Sequence, residues 1–307
     1  MIDRRLLLKC LATSPLMGWA GNSVFAEDVK VAIVMDSGAP HRATAASLEA
    51  ELSKAGVSDE QVAAIPMQNW PGANPAPAVV VAVGPGGMRA VAARPGIVRP
   101  VVAVQISRVQ LDAVQWGETN RVPDQWSAVV NDQPYPRWMA LAELLLTSRR
   151  NVGILFSPAT LGYQKQIERA ATERGLSFHW ELVAAENQLI PALEKLLGKV
   201  NLLLALPDPN VHNRATVQPI LLTTYRAGIP LIGYSESYTN AGAVLSLHSG
   251  ADQVGRQAAE FVLAALKGRP VSGIFPPRQF RVSVNSTVAR SLGLHLPTTA
   301  EIEERLP

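Results

Sequence analysis

The sequence is poor in cysteine and in charge: it contains one cysteine, Cys10, and only 17% of its 307 residues are charged. Cys10 lies in an N-terminal segment that we predict to be removed, which excludes disulfides and thiolate metal sites from the mature chain. Neither sign of charge dominates, with 28 basic against 25 acidic residues. The hydrophobic fraction of 48% excludes a disordered chain and predicts a sizeable core.

Residues 1–26 have the pattern of a cleavable export signal, with a basic start, a mostly apolar middle and small residues before the predicted cleavage after Ala26. Lys9 interrupts the apolar part, which is shorter than the about 20 residues of a membrane span, and no later segment qualifies. Arg4 and Arg5 favour either a twin-arginine signal or an ordinary basic start. Removal of this segment takes away three basic residues and one acidic residue and leaves a net charge of +1, which argues against nucleic acid as a partner.

After the signal, short β-branched runs alternate with amphipathic stretches, which indicates parallel strands with crossover helices. A proline-containing segment from Val114 to Pro136 divides two such units. The predicted strands are KVAIVMD, AVVVAVG and PVVAVQIS in the first unit, NVGILFS, SFHWELVA, VNLLLALPD and IPLIGYS in the second, and AVLSLHS and RQFRVSVN in the tail.

The tail lacks the length of a third domain and is able to complete both units, so we predict an α/β protein of two lobes that the chain crosses several times, with a cleft between them. The predicted first lobe comprises residues 27–127 plus 243–272, and the second comprises 128–242 plus 273–307. We expect a three-strand hinge near Ser127, Asn240 and Gly273.

Candidate binding residues follow the predicted strands, because ligands bind beyond the carboxyl ends of parallel strands. In the first unit these residues are Asp36, Ser37, Gly84, Pro85, Gly86, Ser107 and Arg108. In the second unit they are Ser157, Ala159, Thr160, Tyr163, Asp208, Asn210, Ser235 and Glu236. For Glu236, two roles stay open: it accepts from a ligand ammonium, or it holds a neighbouring backbone N–H.

Catalytic and cofactor motifs are weak or missing. VGPGGMRA is either a tight turn or a cradle for a carboxylate, and it lacks the glycine spacing of nucleotide-binding loops. GYSES has Ser237 where a nucleophile elbow requires glycine. The five histidines show neither HxxxH nor HExxH spacing. We therefore predict a protein that is not an enzyme and holds no cofactor or metal.

Five segments resemble the ABC transporter substrate-binding family of type I periplasmic binding proteins, which includes tryptophan- and tyrosine-binding members. They are NVGILFSPAT, LLLALPDPNV, AGIPLIGYSESYTNAGAVLSL, DQVGRQAAEFVLAALKGRPV and RQFRVSVNSTVARSLGL. The resemblance implies the two-lobed type I fold, each lobe a parallel sheet flanked by helices, with several hinge crossovers. It also implies that the residues given above, apart from Tyr163, line the cleft and that His248 and Ser249 lie near the hinge.

The function implied is a monomeric periplasmic protein that closes over a small, amino-acid-like molecule and delivers it to an inner-membrane ABC permease. One alternative is a sensory protein whose closed form is recognised by a membrane receptor kinase. Another is an exported enzyme, for which the paired arginines of the signal are the sole indication.

Overall fold

The computed structural model describes residues 29–70, 77–94, 100–115, 125–146 and 149–307; the predicted signal segment lies outside them. In this part the strands are β1 (Val31–Met35), β2 (Val62–Pro66), β3 (Val79–Val83), β4 (Val101–Ile106), β5 (Trp126–Val130), β6 (Asn151–Phe156), β7 (Ser177–Leu182), β8 (Leu202–Leu204), β9 (Leu231–Gly233), β10 (Leu245–His248), β11 (Gly273–Phe275) and β12 (Arg281–Val284). The helices are α1 (Ala39–Lys54), α2 (Gly84–Ala92), α3 (Arg108–Asp112), α4 (Tyr135–Leu145), α5 (Gln164–Thr172), α6 (Leu189–Leu197), α7 (Val217–Arg226), α8 (Glu236–Ala241), α9 (Ala251–Leu266), α10 (Ser286–Ser291) and α11 (Thr299–Glu304).

The strands form two six-stranded sheets, in the orders β11-β5-β4-β3-β1-β2 and β12-β10-β9-β8-β6-β7. Every pairing of the first sheet is parallel. The second sheet is parallel except for β12, which runs antiparallel to β10. This is the predicted architecture of two lobes, each a mainly parallel sheet flanked by helices.

Both faces of each sheet are covered, which is why central strands such as VVVAV are buried at every position instead of alternating. In the first lobe α1 and α9 contribute Leu48 and Phe261 to the core on one face, and α2 contributes Met88 on the other. In the second lobe α4 and α5 cover one face, while α6 and α7 cover the other. The hydrophobic effect therefore stabilises each lobe around its own sheet.

The helix of the GRQAAE motif, α9, packs closely along α1. A Cβ atom on Gly255 would lie 2.6 Å from the Ser47 Oγ and 2.9 Å from the backbone nitrogen of Leu48. Glycine at this position therefore permits the close approach of the two helices. This segment of the family resemblance thus serves packing in the first lobe.

The chain crosses between the lobes at residues 131–134, 249–250 and 276–280, which differ from the predicted hinge positions. Ser127 lies inside β5, and Gly273 begins β11 beside it in the first sheet. The segment after Asn240 stays in the second lobe, because β10 pairs with β9 and β12 and its apolar side chains enter the core of that lobe. The predicted assignment of β10 to the first lobe and of β11 to the second is therefore corrected.

Three strands of the first sheet, β2, β5 and β11, do not correspond to any predicted strand. β2 and β11 are edge strands, and few of their residues are buried. β5 follows a segment with breaking prolines, and its apolar run is short. The hydrophobic pattern is weakest in these three segments, so the pairing partners decide their conformation.

Within the described ranges, no helix combines the length and the apolarity that a membrane span requires.

Candidate functional site

A cleft of about 930 Å³ lies between the lobes, at the carboxyl ends of the strands of both sheets. The first lobe contributes Ala39, Pro40, His41, Ala43, Ser47, Pro85, Gln105, Ser107, Gln110, Asn131, Ala251 and Asp252. The second lobe contributes Pro207, Pro209, Tyr234, Ser235, Glu236, Ser237, His248 and Arg281, and the second crossover contributes Ser249 and Gly250. The size suits a small organic molecule, since ligand pockets commonly measure about 300 to 1,000 Å³.

Of the predicted binding residues, Pro85, Ser107, Ser235, Glu236 and His248 line this cleft. Ser107 caps α3: its hydroxyl accepts from the Gln110 N–H at 3.3 Å, and its own N–H donates to the Gln110 side chain at 3.0 Å. Glu236 begins α8 and is exposed to the cleft. Glu236–Ala241 is therefore a short helix at the cleft wall.

Three other predicted residues of the first lobe, Asp36, Gly84 and Gly86, form or hold the turn between β3 and α2. The Asp36 carboxylate accepts from the backbone N–H groups of Gly86 and Gly87, at 3.1 and 2.6 Å. A Cβ on Gly86 would lie 2.2 Å from the same carboxylate, and Gly84, which is also buried, adopts φ +85°. The predicted cradle thus holds a carboxylate of the chain itself. Ser37 is exposed, and its carbonyl accepts from the Arg42 guanidinium.

The predicted residues after β6 and β8 form a closed hydrogen-bond network around Asp208, which is only 2% exposed. The Asp208 carboxylate accepts from the Ser157 N–H at 3.1 Å, the Thr160 hydroxyl at 2.6 Å and the Asn210 N–H at 3.0 Å. The Ser157 hydroxyl in turn accepts from the Ala159 N–H at 3.2 Å. These polar groups hold two loops of the second lobe together, and none of the five residues lines the 930 Å³ cleft.

Arg108 and Tyr163 both contact Asp112, at an interface between the lobes outside that cleft. The Tyr163 hydroxyl donates to Asp112 at 2.7 Å, and Asp112 forms an ion pair with Arg108 at 3.2 Å. Burial raises the pKa of the Tyr163 hydroxyl, and its hydrogen bond to Asp112 adds to that shift. Tyr163 therefore joins α3 of the first lobe to the loop before α5 of the second.

The electrostatics of the cleft wall favour a positively charged group. Burial lowers the pKa of His41 and of His248, so both imidazoles are neutral at pH 7. Arg281 forms an ion pair with Asp252 at 2.8 Å across the second crossover. Among the lining residues, Glu236 is then a carboxylate without a matching cation, and the wall carries a net charge of about −1.

The three crossovers are joined by a partly buried polar network. The Gln133 side chain donates to the Ser249 hydroxyl at 2.8 Å, and Ser249 donates to the Gln279 carbonyl at 2.6 Å. Arg137, which is 7% exposed, donates to the Gln133 side chain at 2.7 Å and to the Pro277 carbonyl at 3.3 Å. Because Ser249 also lines the cleft, the crossovers and the cleft share this residue.

Sequence reasoning missed several lining residues, including Gln105, Asn131 and Arg281. The missed residues differ in whether the sequence contains a signal for them. Gln105 is a polar residue inside the apolar run VVAVQI, which is a signal that the sequence does contain. Asn131 follows a strand that was not predicted, and Arg281 reaches the cleft through the antiparallel strand β12.

The fold has many relatives among solved structures. A conserved domain protein from Vibrio cholerae O1 biovar El Tor is 20% identical, with a TM-score of 0.64 and coverage of 91% of this chain and 99% of that one. A domain from Streptococcus pneumoniae in complex with L-Trp is 14% identical, with a TM-score of 0.64 and coverage of 90% and 98%. The open, ligand-free form of a substrate binding protein with adhesive properties from Clostridium difficile is 15% identical, with a TM-score of 0.68 and coverage of 88% and 96%.

A search of curated protein sequences found no match. The model of the family described as ABC transporter substrate binding protein matches residues 77–302, which is more than two thirds of the sequence. This match and the two-lobed fold support a solute-binding role, and the chain belongs to the ABC transporter substrate binding protein family.

Proposed function

We propose that this protein is the exported solute-binding component of an ABC transporter, and that it binds an amino-acid-like molecule between its lobes and delivers it to an inner-membrane permease. The observation that carries the proposal is the 930 Å³ cleft, whose wall includes polar side chains and the Glu236 carboxylate, which has no matching cation among the lining residues. A carboxylate so placed suits a ligand ammonium group.

Closure of the lobes belongs to the same proposal. The ligand shifts an equilibrium between open and closed forms by binding the closed form more tightly. The crossovers at 131–134, 249–250 and 276–280 are the segments about which the lobes would rotate. Ser249, which touches both the cleft and the hinge network, would transmit ligand contact to that rotation.

Binding is tested by thermal-shift measurements with each of the twenty L-amino acids, followed by calorimetry on any that stabilise the protein. We expect at least one to stabilise the protein, by about 2.7 kcal/mol at one hundred times its dissociation constant. If none of them raises the melting temperature, the amino-acid-like ligand is wrong. Delivery is tested by deleting an ABC permease that co-purifies with the amino-acid-loaded protein, which should abolish uptake of the same amino acid; unchanged uptake would contradict delivery to that permease.

Export and the monomeric state are part of the proposal and need separate measurements. Mass spectrometry of the protein recovered from the periplasmic fraction should give a chain that begins at Glu27. Light scattering of the same sample should give the mass of one chain. A protein that keeps its first 26 residues, or a dimer, would contradict these two parts without affecting the binding proposal.

A further inference from the structure

Gln105 has an unusual backbone conformation at the end of β4. Its φ is +55°, and among the residues that the structure describes it is the only one other than glycine in the left-handed region. The pairing of β4 with β5 shifts in register between Val104 and Ile106, so Gln105 is the extra residue of a β-bulge. A left-handed conformation costs free energy in a residue with a Cβ, and such residues cluster at functional sites.

The side chain of Gln105 is held by a hydrogen bond to a residue of α1. Its amide nitrogen donates to the hydroxyl of Thr44 at 2.9 Å. Thr44 lies on α1 and is fully buried, so it cannot itself contact a ligand. The bond to Thr44 uses a donor of the amide and leaves the amide oxygen, a hydrogen-bond acceptor, for another partner.

Gln105 also lies at the cleft, where a ligand can contact it. It lines the cleft together with Ser47 and Ser107 of the same lobe and with Glu236 of the other lobe. Without the bulge, residues 104 to 106 would continue the regular alternation of β4, and the side chain at 105 would lie over one face of the sheet. The bulge changes the direction of this side chain at the carboxyl end of β4, where the cleft lies.

We propose that Gln105 is a ligand-binding residue of the first lobe, whose amide oxygen accepts a hydrogen bond from the ligand's ammonium group. The inference rests on the proposed function, because it assumes a ligand that binds in this cleft. Glu236 supplies the charge from the second lobe, and Gln105 supplies a neutral acceptor of fixed direction from the first. Thr44 is a positioning residue that orients the Gln105 amide.

The decisive variant is Gln105→Gly, which removes the amide and suits the left-handed backbone. The probes are the twenty L-amino acids and, for any that binds wild type, its N-acetyl derivative, measured by calorimetry. We expect the affinity of Gln105→Gly for the amino acid to fall at least ten-fold, without a loss of melting temperature in the absence of amino acid. The affinity lost on N-acetylation should also be smaller in the variant than in wild type.

Two further variants separate the contact from a general effect on the lobe. Thr44→Val keeps the shape of Thr44 and removes its hydroxyl, and we expect a loss of affinity of about three-fold, since the amide loses its anchor. Gln115→Gly, at an exposed residue of the same lobe that does not line the cleft, should bind like wild type.

The outcomes are distinguishable. If an amino acid binds wild type and Gln105→Gly equally, the inference about Gln105 is wrong while the proposed function stands. If no amino acid binds wild type, both are overturned. If Gln105→Gly proves unstable, Thr44→Val decides: unchanged affinity in that variant overturns the inference, and reduced affinity supports it.

Discussion

The loops that follow the carboxyl ends of the strands fall into two groups. Both groups contain polar and small residues in the sequence, but they have different partners in the structure. One group is closed by a carboxylate of the chain itself: Asp36 holds the turn before α2, and Asp208 joins the loops after β6 and β8. The other group, which includes Gln105 to Ser107 and Ser235 to Ser237, faces the cleft. A polar residue after a strand is therefore either part of the scaffold or part of the binding surface, and the two groups should respond differently to mutation.

The largest expected effect is on the Asp208 network. Asp208→Ala removes the acceptor of three hydrogen bonds at a site that is 2% exposed. We expect the free energy of unfolding to fall by about 3 kcal/mol, measured by urea denaturation. Thr160→Val removes one of the three donors and should cost about 1 kcal/mol. A change in ligand affinity without loss of stability in both variants would place Asp208 in the binding surface instead.

A second change tests the turn that Asp36 closes. In Gly87→Ala the new Cβ would lie 2.5 Å from the Val34 carbonyl oxygen, a backbone atom that cannot move without shifting β1. We expect the free energy of unfolding to fall by about 2 kcal/mol, measured by urea denaturation. Gly162→Ala is the matched control, because no heavy atom lies within 4 Å of its added Cβ. Equal stability of the two variants would mean that the turn is not tightly packed.

The third prediction concerns His212, which is buried next to Tyr234 and Tyr238 behind the cleft wall. Burial lowers the pKa of His212 to about 4, against the opposing charge of Asp208. Between pH 6.5 and 4 the unfolded chain binds more protons at this residue than the folded chain does, so its contribution to stability is lost as the pH falls. The loss from pH 7 to pH 5 should be about 2 kcal/mol.

The measurement is the difference in unfolding free energy between wild type and His212→Phe at pH 7 and pH 5. The difference isolates His212 from other groups, such as Asp132, whose pKa burial raises to about 6 and which acts in the opposite direction. Parallel pH profiles of the two proteins would show that His212 does not titrate as described.

The smallest effect on stability, and a large one on binding, is expected for Glu236→Gln. Glu236 is exposed, so the free energy of unfolding should change by less than about 0.5 kcal/mol. The affinity for an amino acid that stabilises wild type should fall at least ten-fold, equivalent to about 1.4 kcal/mol, measured by calorimetry. Glu186→Gln, at an exposed residue outside the cleft, should bind like wild type. Unchanged affinity in Glu236→Gln would remove Glu236 from the binding surface.

The sequence allowed prediction of the second lobe in more detail than the first. NVGILF, VNLLLAL and IPLIG are apolar enough to predict buried strands, and all three are strands. In the first lobe, the edge strands β2 and β11 have no fully buried position, so they give no clear hydrophobic pattern. β5 is mostly buried, but its apolar run is short and follows a segment with breaking prolines. The placement of β10 was wrong because an apolar run does not reveal which of two sheets it joins, and pairing with β9 and β12 decides it.

By itself, the sequence determined that the chain forms two α/β units and that polar residues follow their strands. Hydrophobic periodicity and turn residues determine secondary structure locally, so both features can be read from short stretches of sequence. Only the tertiary structure decided which of those polar residues reach the cleft. Asp36 and Asp208 accept hydrogen bonds from backbone N–H groups about 50 residues away, at Gly86 and Ser157. These donors stabilise the carboxylates where they are shielded from water, because shielded polar groups need hydrogen-bond partners. Gln105 faces the cleft because of a bulge that depends on its pairing with β5. Contacts of that range depend on how distant segments pack, which local sequence does not specify.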